Sequence, residues 1–456
     1  MIFQNVGYKG YNGIMNRIDE LKQELRTLPE GYISKKHIHG KIRYYLQHRE
    51  QDKIVSQYIP EKDIAEIRNK IQRRKEIEQE LKALEKETTS PLLSRLSPSA
   101  MAFTGDVLEE DEVVATFRNG KQIFVNEKRA PLEIARTGDL QDWLASRAID
   151  SQRTNSRLLK KTLRLRNGED IPAVLRVYAR TLTDHFWFRP FKSKVKFKNL
   201  SFDNDLYADT ALKGITRDTP SKPSFNPQLT LTGSFEKCWK LEEGCWYMYK
   251  TGTESEIFSE LFCASLCGKL GLPTAVYEKE GPYIKTKNFA DQYDFEPLRS
   301  IAGDDDNYQN CYPAIYAISP EIAAQYLLLM WFDCLVYNVD RHNENCGFLR
   351  NRKTGVVVSL APNFDNNLAL FARSIPASPD RHKDGLIKVF KEFLHKNGVA
   401  AKQYSQLKLP VVTQEMVHSI TAGMTAPVSD LFLFEYLDNG QKELIRIQDQ
   451  IRSNLQ

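Results

Sequence analysis

The sequence predicts an α+β protein of two lobes, strand-rich first and helix-rich second, behind a separate helix–β-hairpin–helix module. Three observations carry that prediction. Strand-like runs recur between Val113 and Ile284, and helical periodicity dominates from Pro320 onward. Residues Thr88 to Ala102 hold Pro91, Pro98 and four serines, the composition of a linker. Ahead of that linker lie two amphipathic helical patterns with β-prone runs between them. The expected organisation is a module over 1–88, a linker over 89–104, a strand-rich lobe over 105–285 and a helical lobe over 286–456.

With 456 residues the chain has length for two or three domains. Its 41% hydrophobic and 27% charged residues are ordinary for a soluble protein, and a net charge of +5 is mild for this length. No run approaches the roughly 18 apolar residues of a membrane span. Met1–Lys9 lacks the basic and apolar regions of a secretory signal. Cys263 and Cys267 lie one helical turn apart, but no second Cys/His pair completes a zinc set. A cytoplasmic protein with reduced core thiols and no membrane partner is expected.

In the module, Ile14, Ile18, Leu21, Leu25 and Leu28 recur at helical spacing, and Pro29-Glu30-Gly31 ends that helix. Lys41–Arg49 and Lys53–Ile59 flank a polar turn and predict a hairpin. Ile64, Ile67, Ile71, Ile77, Leu81 and Leu84 form the stripe of a second helix. Between Ser34 and Lys53 lie Lys35, Lys36, Lys41, Arg43, Arg49 and Lys53, interleaved with Tyr44, Tyr45 and three histidines, against Glu50 and Asp52 as the acids. A basic hairpin with aromatics over 34–53 reads first as a structural hairpin with a solvated face; nucleic acid, and after it a protein partner, are the alternatives.

Beyond the linker, Val113–Val125 reads as a hairpin around Asn119-Gly120. Helices are expected around Leu140–Leu165 and Ile171–Leu182, and a loop over 201–227. Strands are expected at Leu229–Trp239, Trp246–Lys250, Val276-Tyr277 and Tyr283-Ile284, with a helix at Ser255–Leu270. Pro320–Tyr337 reads as a buried helix, Val356–Leu360 as a strand, and the tail from Asp384 as mostly helical.

Two polar clusters carry the chemistry. Asn338–Asn345 follows the buried helix, and Ala361–Asn367 follows the strand at Val356–Leu360. Asp340, then Asn345 five residues on, then Asp365 some 25 positions after Asp340 is a phosphoryl-transfer order. Asp340 would take the substrate hydroxyl proton; Asn345 and Asp365 would hold Mg²⁺. Arg341 and Asn338 are placed to orient Asp340, and His342 to brace the loop. Gly233, Ser234 and Phe235 sit in a turn between strand-like runs, where backbone N–H groups can approach phosphate oxygens. Lys250 ends an apolar strand and offers a point charge for the phosphates. Glu260 on the next helix would hold that lysine, with Glu256 one turn earlier as the alternative.

These segments resemble the HipA-type serine/threonine kinases. Gly233-Ser234-Phe235-Glu236-Lys237 is similar to that family's Gly-x-x-Glu-Lys phosphate loop, and Ser259-Glu260 with Gly271-Leu272-Pro273 to its helix-αC segment. Asn338-x-Asp340-x-His342-x-x-Asn345 and Ala361-Pro362-x-x-Asp365 resemble its catalytic loop and metal-binding motif. The resemblance spans roughly residues 105–440 and implies a bilobal protein-kinase-like fold with ATP and Mg²⁺ between the lobes, acting on a protein substrate. It also implies that Tyr283, Ile284 and Lys285 form the adenine-contacting hinge. Family members can be shut off by phosphorylating their own phosphate loop; Thr230, Thr232 and Ser234 are available here without one being singled out. An adjoining antitoxin-like partner is implied by the family alone. The N-terminal module, Pro220–Pro227 and Gly303–Asp306 depart from the pattern. Two other readings compete: a catalytically inactive kinase-fold protein working through its basic module, and a kinase for a lipid or small molecule.

Overall fold

The computed structural model describes residues 21, 24–25, 27–38, 41–50, 53–88, 103–149, 155–162, 170–215, 225–233 and 235–455. The chain divides into two compact units, Met1–Ala102 and Phe103–Gln456.

In the first unit, β1 (Tyr32–Ile38), β2 (Lys41–Glu50) and β3 (Lys53–Ile59) form an antiparallel sheet in that order. The expected hairpin is β2–β3. β1 adds a strand that Tyr32-Ile33-Ser34-Lys35-Lys36 did not announce, because its apolar alternation is too weak. Ile33, Tyr44, Leu46 and Ile59 pack on Ile64, Ile67 and Ile71 of the helix Ile64–Thr88, closing one face of the sheet. Further along the helix, Ile77 and Leu81 meet Leu21, Leu25 and Leu28. Arg74 donates to the carbonyls of Leu25 and Leu28 at 3.2 and 2.9 Å, satisfying acceptors at the end of that preceding segment. Ile14, Ile18 and residues 89–102 of the linker expected over 89–104 lie outside the described residues.

Among its described residues the second unit holds three antiparallel sheets. β4 (Gly105–Glu109), β5 (Glu112–Arg118), β6 (Lys121–Val125) and β7 (Phe186–Pro190) run in the order β6-β5-β4-β7. β8 (Lys237–Glu242), β9 (Cys245–Lys250), β10 (Tyr277–Glu280) and β11 (Tyr283–Lys287) run in the order β10-β11-β9-β8. β12 (Tyr293–Pro297), β13 (Gly347–Asn351) and β14 (Val357–Leu360) complete the set.

Some expected elements change length. The strand expected over Leu229–Trp239 begins only at Lys237; Pro227–Thr230 is a single 3₁₀ turn, capped by the Asn226 side chain accepting from the Gln228 N–H. The two expected long helices resolve into Leu140–Ala145, Ser156–Thr162 and Asp170–Arg176, with 150–154 and 163–169 outside the described residues. Tyr178 and Ala179 take φ of 54° and 60°, a left-handed pair that a helix reaching Leu182 cannot contain. The expected loop over 201–227 contains the helix Ala208–Lys213.

The helical lobe is built around Pro320–Val336. Ser319 caps it by accepting from the N–H groups of Glu321 and Ile322, with Pro320 in the first turn. Its side chains Leu327, Met330, Trp331 and Phe332 are buried in one core with Phe262, Phe390, Tyr404 and Leu444. Tyr308–Ile318, Gly385–Lys396, Gly398–Gln406, Gln414–Thr421 and Asp430–Leu455 supply the other helices.

Arg350 on β13 joins the β12–β14 sheet to the segment that follows β6. It is 1% exposed, donates to the carbonyls of Lys128 (2.8 Å), Ala130 (3.0 Å) and Gly355 (2.9 Å), and pairs with Glu296. Glu296 in turn accepts from the Leu132 N–H at 2.6 Å, and Asp294 accepts from the His185 N–H at 2.7 Å.

Candidate active site

The two polar clusters meet because β13 and β14 pair. Phe348 lies opposite Leu360, and the Ala361 N–H donates to the Gly347 carbonyl at 2.8 Å. The loop before β13 and the loop after β14 therefore leave the same end of one hairpin. The first starts at Tyr337, whose φ of 53° stops the buried helix in a left-handed turn.

Arg341 and Asp333 hold these loops together. Asp333, 0% exposed, accepts from Arg341 Nε and Nη2, both at 3.0 Å. The remaining Arg341 donors reach the carbonyls of Asn345 and Phe364, each at 2.6 Å, and the side-chain oxygens of Asn363 and Asn366 at 2.7 and 2.8 Å. The sequence reading gave Arg341 the job of orienting Asp340; it spans the two loops instead. Asn338 does act on Asp340, accepting from its backbone N–H at 3.2 Å.

Lys250 projects from the end of β9 into this junction. Its Nζ lies 2.7 Å from Asp365 Oδ1 and 3.6 Å from Glu260 Oε2. Burial works against the Lys250 charge, but Asp365, Tyr277 and Glu260 more than offset it, and the ammonium is held well above its ordinary range. Burial also opposes ionisation of Asp365; Lys250, Lys237 and Arg341 overcome it, so this carboxyl sits far below the usual range. Glu260 is pushed up, first by burial and then by the charge of Asp365, against the pull of Lys250. Its second oxygen accepts from the Asn366 N–H at 2.9 Å. Glu256, the alternative, is used elsewhere: it closes a capping box with Thr253 at the start of the helix Glu254–Lys269.

A cleft opens over this junction, walled by β8, β9 and the end of β11 above and the two loops below. Gly233, Phe235, Lys250, Asp340, Asn345 and Asp365 all line it. Ser234 lies outside the described residues. Asp340 is half-buried; burial, and then the charge of Asp365, push its carboxyl above the ordinary value, with His342 and Arg373 pulling the other way. Asn345 donates its amide N–H to the Asp340 carbonyl at 3.0 Å, which leaves the amide oxygen for another ligand. His342 Nδ1 accepts from the Glu344 N–H at 3.2 Å, a contact within the loop. An ionised carboxylate and an amide oxygen on one wall are hard oxygen donors that fit Mg²⁺.

The hinge expectation is corrected. Tyr283, Ile284 and Lys285 do not line the cleft; Thr286, Lys287, Asn288 and Phe289 do. β11 runs antiparallel to β9 with Ile284 opposite Lys250 and Thr286 opposite Met248, so the wall moves to the far end of the strand. Lys285 turns to the other face, where it pairs with Glu242 at 3.0 Å.

Several residues of the cleft were not anticipated. Lys237, the last residue of the glycine motif, lines the cleft, and its charge acts on Asp365 and Glu344. The Tyr277 hydroxyl accepts from Lys250 Nζ and from the Asp365 N–H, both at 3.4 Å. Phe289, Phe295 and Phe364 form a mutually packed trio, with ring centroids 5.5–5.8 Å apart, at the inner wall. Asp333 carried a signal in the sequence: it is a lone acid inside the apolar run Leu327–Val336.

Residues 11–69 match the family model of a domain of unknown function, DUF6788. No curated protein matches the chain. Among solved structures, HipA of Shewanella oneidensis MR-1, solved as a toxin–antitoxin system with HipB and its operator DNA, superposes with a TM-score of 0.51 at 12% identity. That match covers 77% of this chain and 99% of the other. The proinflammatory kinase CtkA of Helicobacter pylori matches at 19% identity and a TM-score of 0.40, over 48% of this chain and 95% of its own. The chain has a bilobal, kinase-like α+β fold of the kind seen in HipA. No helix among the described residues is long and apolar enough to cross a membrane.

Proposed function

We propose that the chain is an ATP- and Mg²⁺-dependent serine/threonine protein kinase of the HipA type. The observation that carries this is the ion-pair relay Glu260–Lys250–Asp365, at 3.6 and 2.7 Å, whose Lys250 and Asp365 line one cleft with Asp340 and Asn345. The strand-rich lobe over 105–285 and the helical lobe over 286–456 are the two jaws in this reading.

Lys250 grips the nucleotide phosphates, with Glu260 limiting where the ammonium can swing. Lys237 and the N–H groups around Gly233 add positive potential above the same phosphates. Asp365 and Asn345 would hold Mg²⁺, which would supply neutralisation of the phosphate charge that builds in the transition state. Asp340 accepts the proton of the incoming hydroxyl as its oxygen bonds to phosphorus and the bridging oxygen leaves with ADP. The phenylalanine trio with Trp239 and Met248 offers an apolar seat for the adenine ring. An antitoxin-like protein partner, and self-phosphorylation at Thr230, Thr232 or Ser234, belong to this reading as regulation.

The test is transfer of label from γ-labelled ATP with Mg²⁺ to the protein itself or to an added protein, with phosphosites mapped by mass spectrometry. Asp340→Ala should abolish transfer and leave the fold intact. Label on a lipid or metabolite alone would point to the small-molecule reading, and nucleotide binding without any transfer to an inactive kinase fold.

A further inference from the structure

We propose that the open face of the β1–β3 sheet is a binding site for double-stranded DNA. The helix Ile64–Thr88 covers the face that carries Leu46 and Ile59. Strand alternation and register put Tyr32, Tyr45 and Tyr58, with Lys36 and Arg43, on the opposite face. Tyr32 and Tyr58 are 57% and 53% exposed. Among the described side chains, Ser34, Gln47 and Ser56 share that face, which carries cations and uncharged polar groups and no carboxylate.

Two details point to an anionic occupant. Lys36 and Arg43 stand directly opposite each other in the β1–β2 register, a like-charge pair that costs stability in the absence of a counter-charge. Both are held over tyrosine rings: Lys36 Nζ is 4.8 Å from the Tyr45 centroid, and the Arg43 guanidinium 6.0 Å from the Tyr58 centroid. Tyr45 and Tyr58 brace each other edge-on at 5.7 Å. The ring faces are thus occupied by the cations instead of being left for unpaired bases, and the cations are pre-positioned for phosphate.

Dimensions favour a duplex over a single strand. The axes of the outer strands of a three-stranded sheet lie about 10 Å apart, close to the roughly 12 Å width of the DNA major groove. The major groove of an RNA duplex is too narrow to take it. Nothing in this inference depends on the kinase reading.

The full chain should be titrated into a labelled DNA duplex of about 20 base pairs over about 50–200 mM salt, followed by anisotropy. The separated strand and an RNA duplex of the same sequence are the comparison probes. The DNA duplex should bind tightest. The Lys36→Ala/Arg43→Ala pair should flatten the log–log salt slope by about 2, at roughly 0.9 per phosphate contact. Lys194→Ala/Lys196→Ala, which removes equal charge from exposed sites in the second unit, should leave the slope unchanged. Arg43→Gln alone, a milder change, should flatten it by about 1. An unchanged slope in the Lys36/Arg43 variants, equal binding of the single strand or RNA duplex, or no duplex binding at the lowest salt would overturn the proposal.

Discussion

Arg341 and Asp333 form a buried two-pronged ion pair, Nε–Oδ2 and Nη2–Oδ1 both at 3.0 Å, and through it the loop bearing Asp340 is fixed to the loop bearing Asp365. The two polar loops flanking the β13–β14 hairpin share one guanidinium. Removing either partner strands a buried charge. Arg341→Met or Asp333→Ala should therefore cost about 3–5 kcal/mol in urea unfolding. Arg341→Lys should also lose most of the bonding, because an ammonium cannot reach all six acceptor oxygens at once. A loss within 1 kcal/mol of zero would show that the loops are held by something else.

Asp340 is half-buried at the cleft wall, so its removal should separate function from stability. Asp340→Asn should lower the transfer rate by about 10²–10⁴-fold, the usual range for a positioned base. Its thermal midpoint should stay near that of the parent protein in a calorimetric scan.

The acid limb of the rate profile should lie above the ordinary aspartate value of about 3.9, because burial favours the protonated form of Asp340 and the base works only when ionised. Arg373 pulls that carboxyl down. Arg373→Ala should accordingly move the acid limb to higher pH, and a shift to lower pH would contradict the assignment.

Asp365 and Asn345 should betray themselves through Mg²⁺. Asn345→Ala should raise the Mg²⁺ concentration needed for half-maximal rate by tenfold or more, measured at saturating ATP. Asp365→Asn should do the same and also weaken the fold, since Lys250 then lies buried without its nearest counter-charge. Because the Asp365 carboxyl is depressed, the stability it contributes is complete above about pH 4 and is lost only as pH falls towards its folded value.

Gly233 has φ of 97°, and a Cβ there would lie 2.1 Å from Lys237 Nζ. Gly233→Ala should displace that ammonium and raise KM for ATP several-fold, with less effect on the global unfolding midpoint. Lys237→Met should reproduce the KM effect, which surface plasmon resonance with a non-hydrolysable nucleotide can check.

The motifs were legible where chemistry dictates residue type and chain order. Lys250, Glu260, Asp340, Asn345 and Asp365 come together because one strand, one helix and one hairpin bring them there, and each of those elements was visible as an apolar or β-branched run. The adenine wall was not, since which residues of β11 face inward depends on its register with β9, and register is a tertiary property. β1 and β7 escaped for a related reason. Tyr32–Ile38 alternates too weakly, and Phe186–Pro190, buried on both sides of Trp187, shows no period at all. Asp333 and Arg341 were visible as residues, but their partnership crosses the two loops and could not be read from spacing.

Arg350 and Glu296, both in the β12–β14 sheet, tie that sheet to the segment Lys128–Leu132 that follows β6. If the chain turns over nucleotide as proposed, the β8–β11 sheet is the part of the strand-rich lobe left to flex around it, so mobility should concentrate in residues 235–250 while 105–125 stays as still as the core.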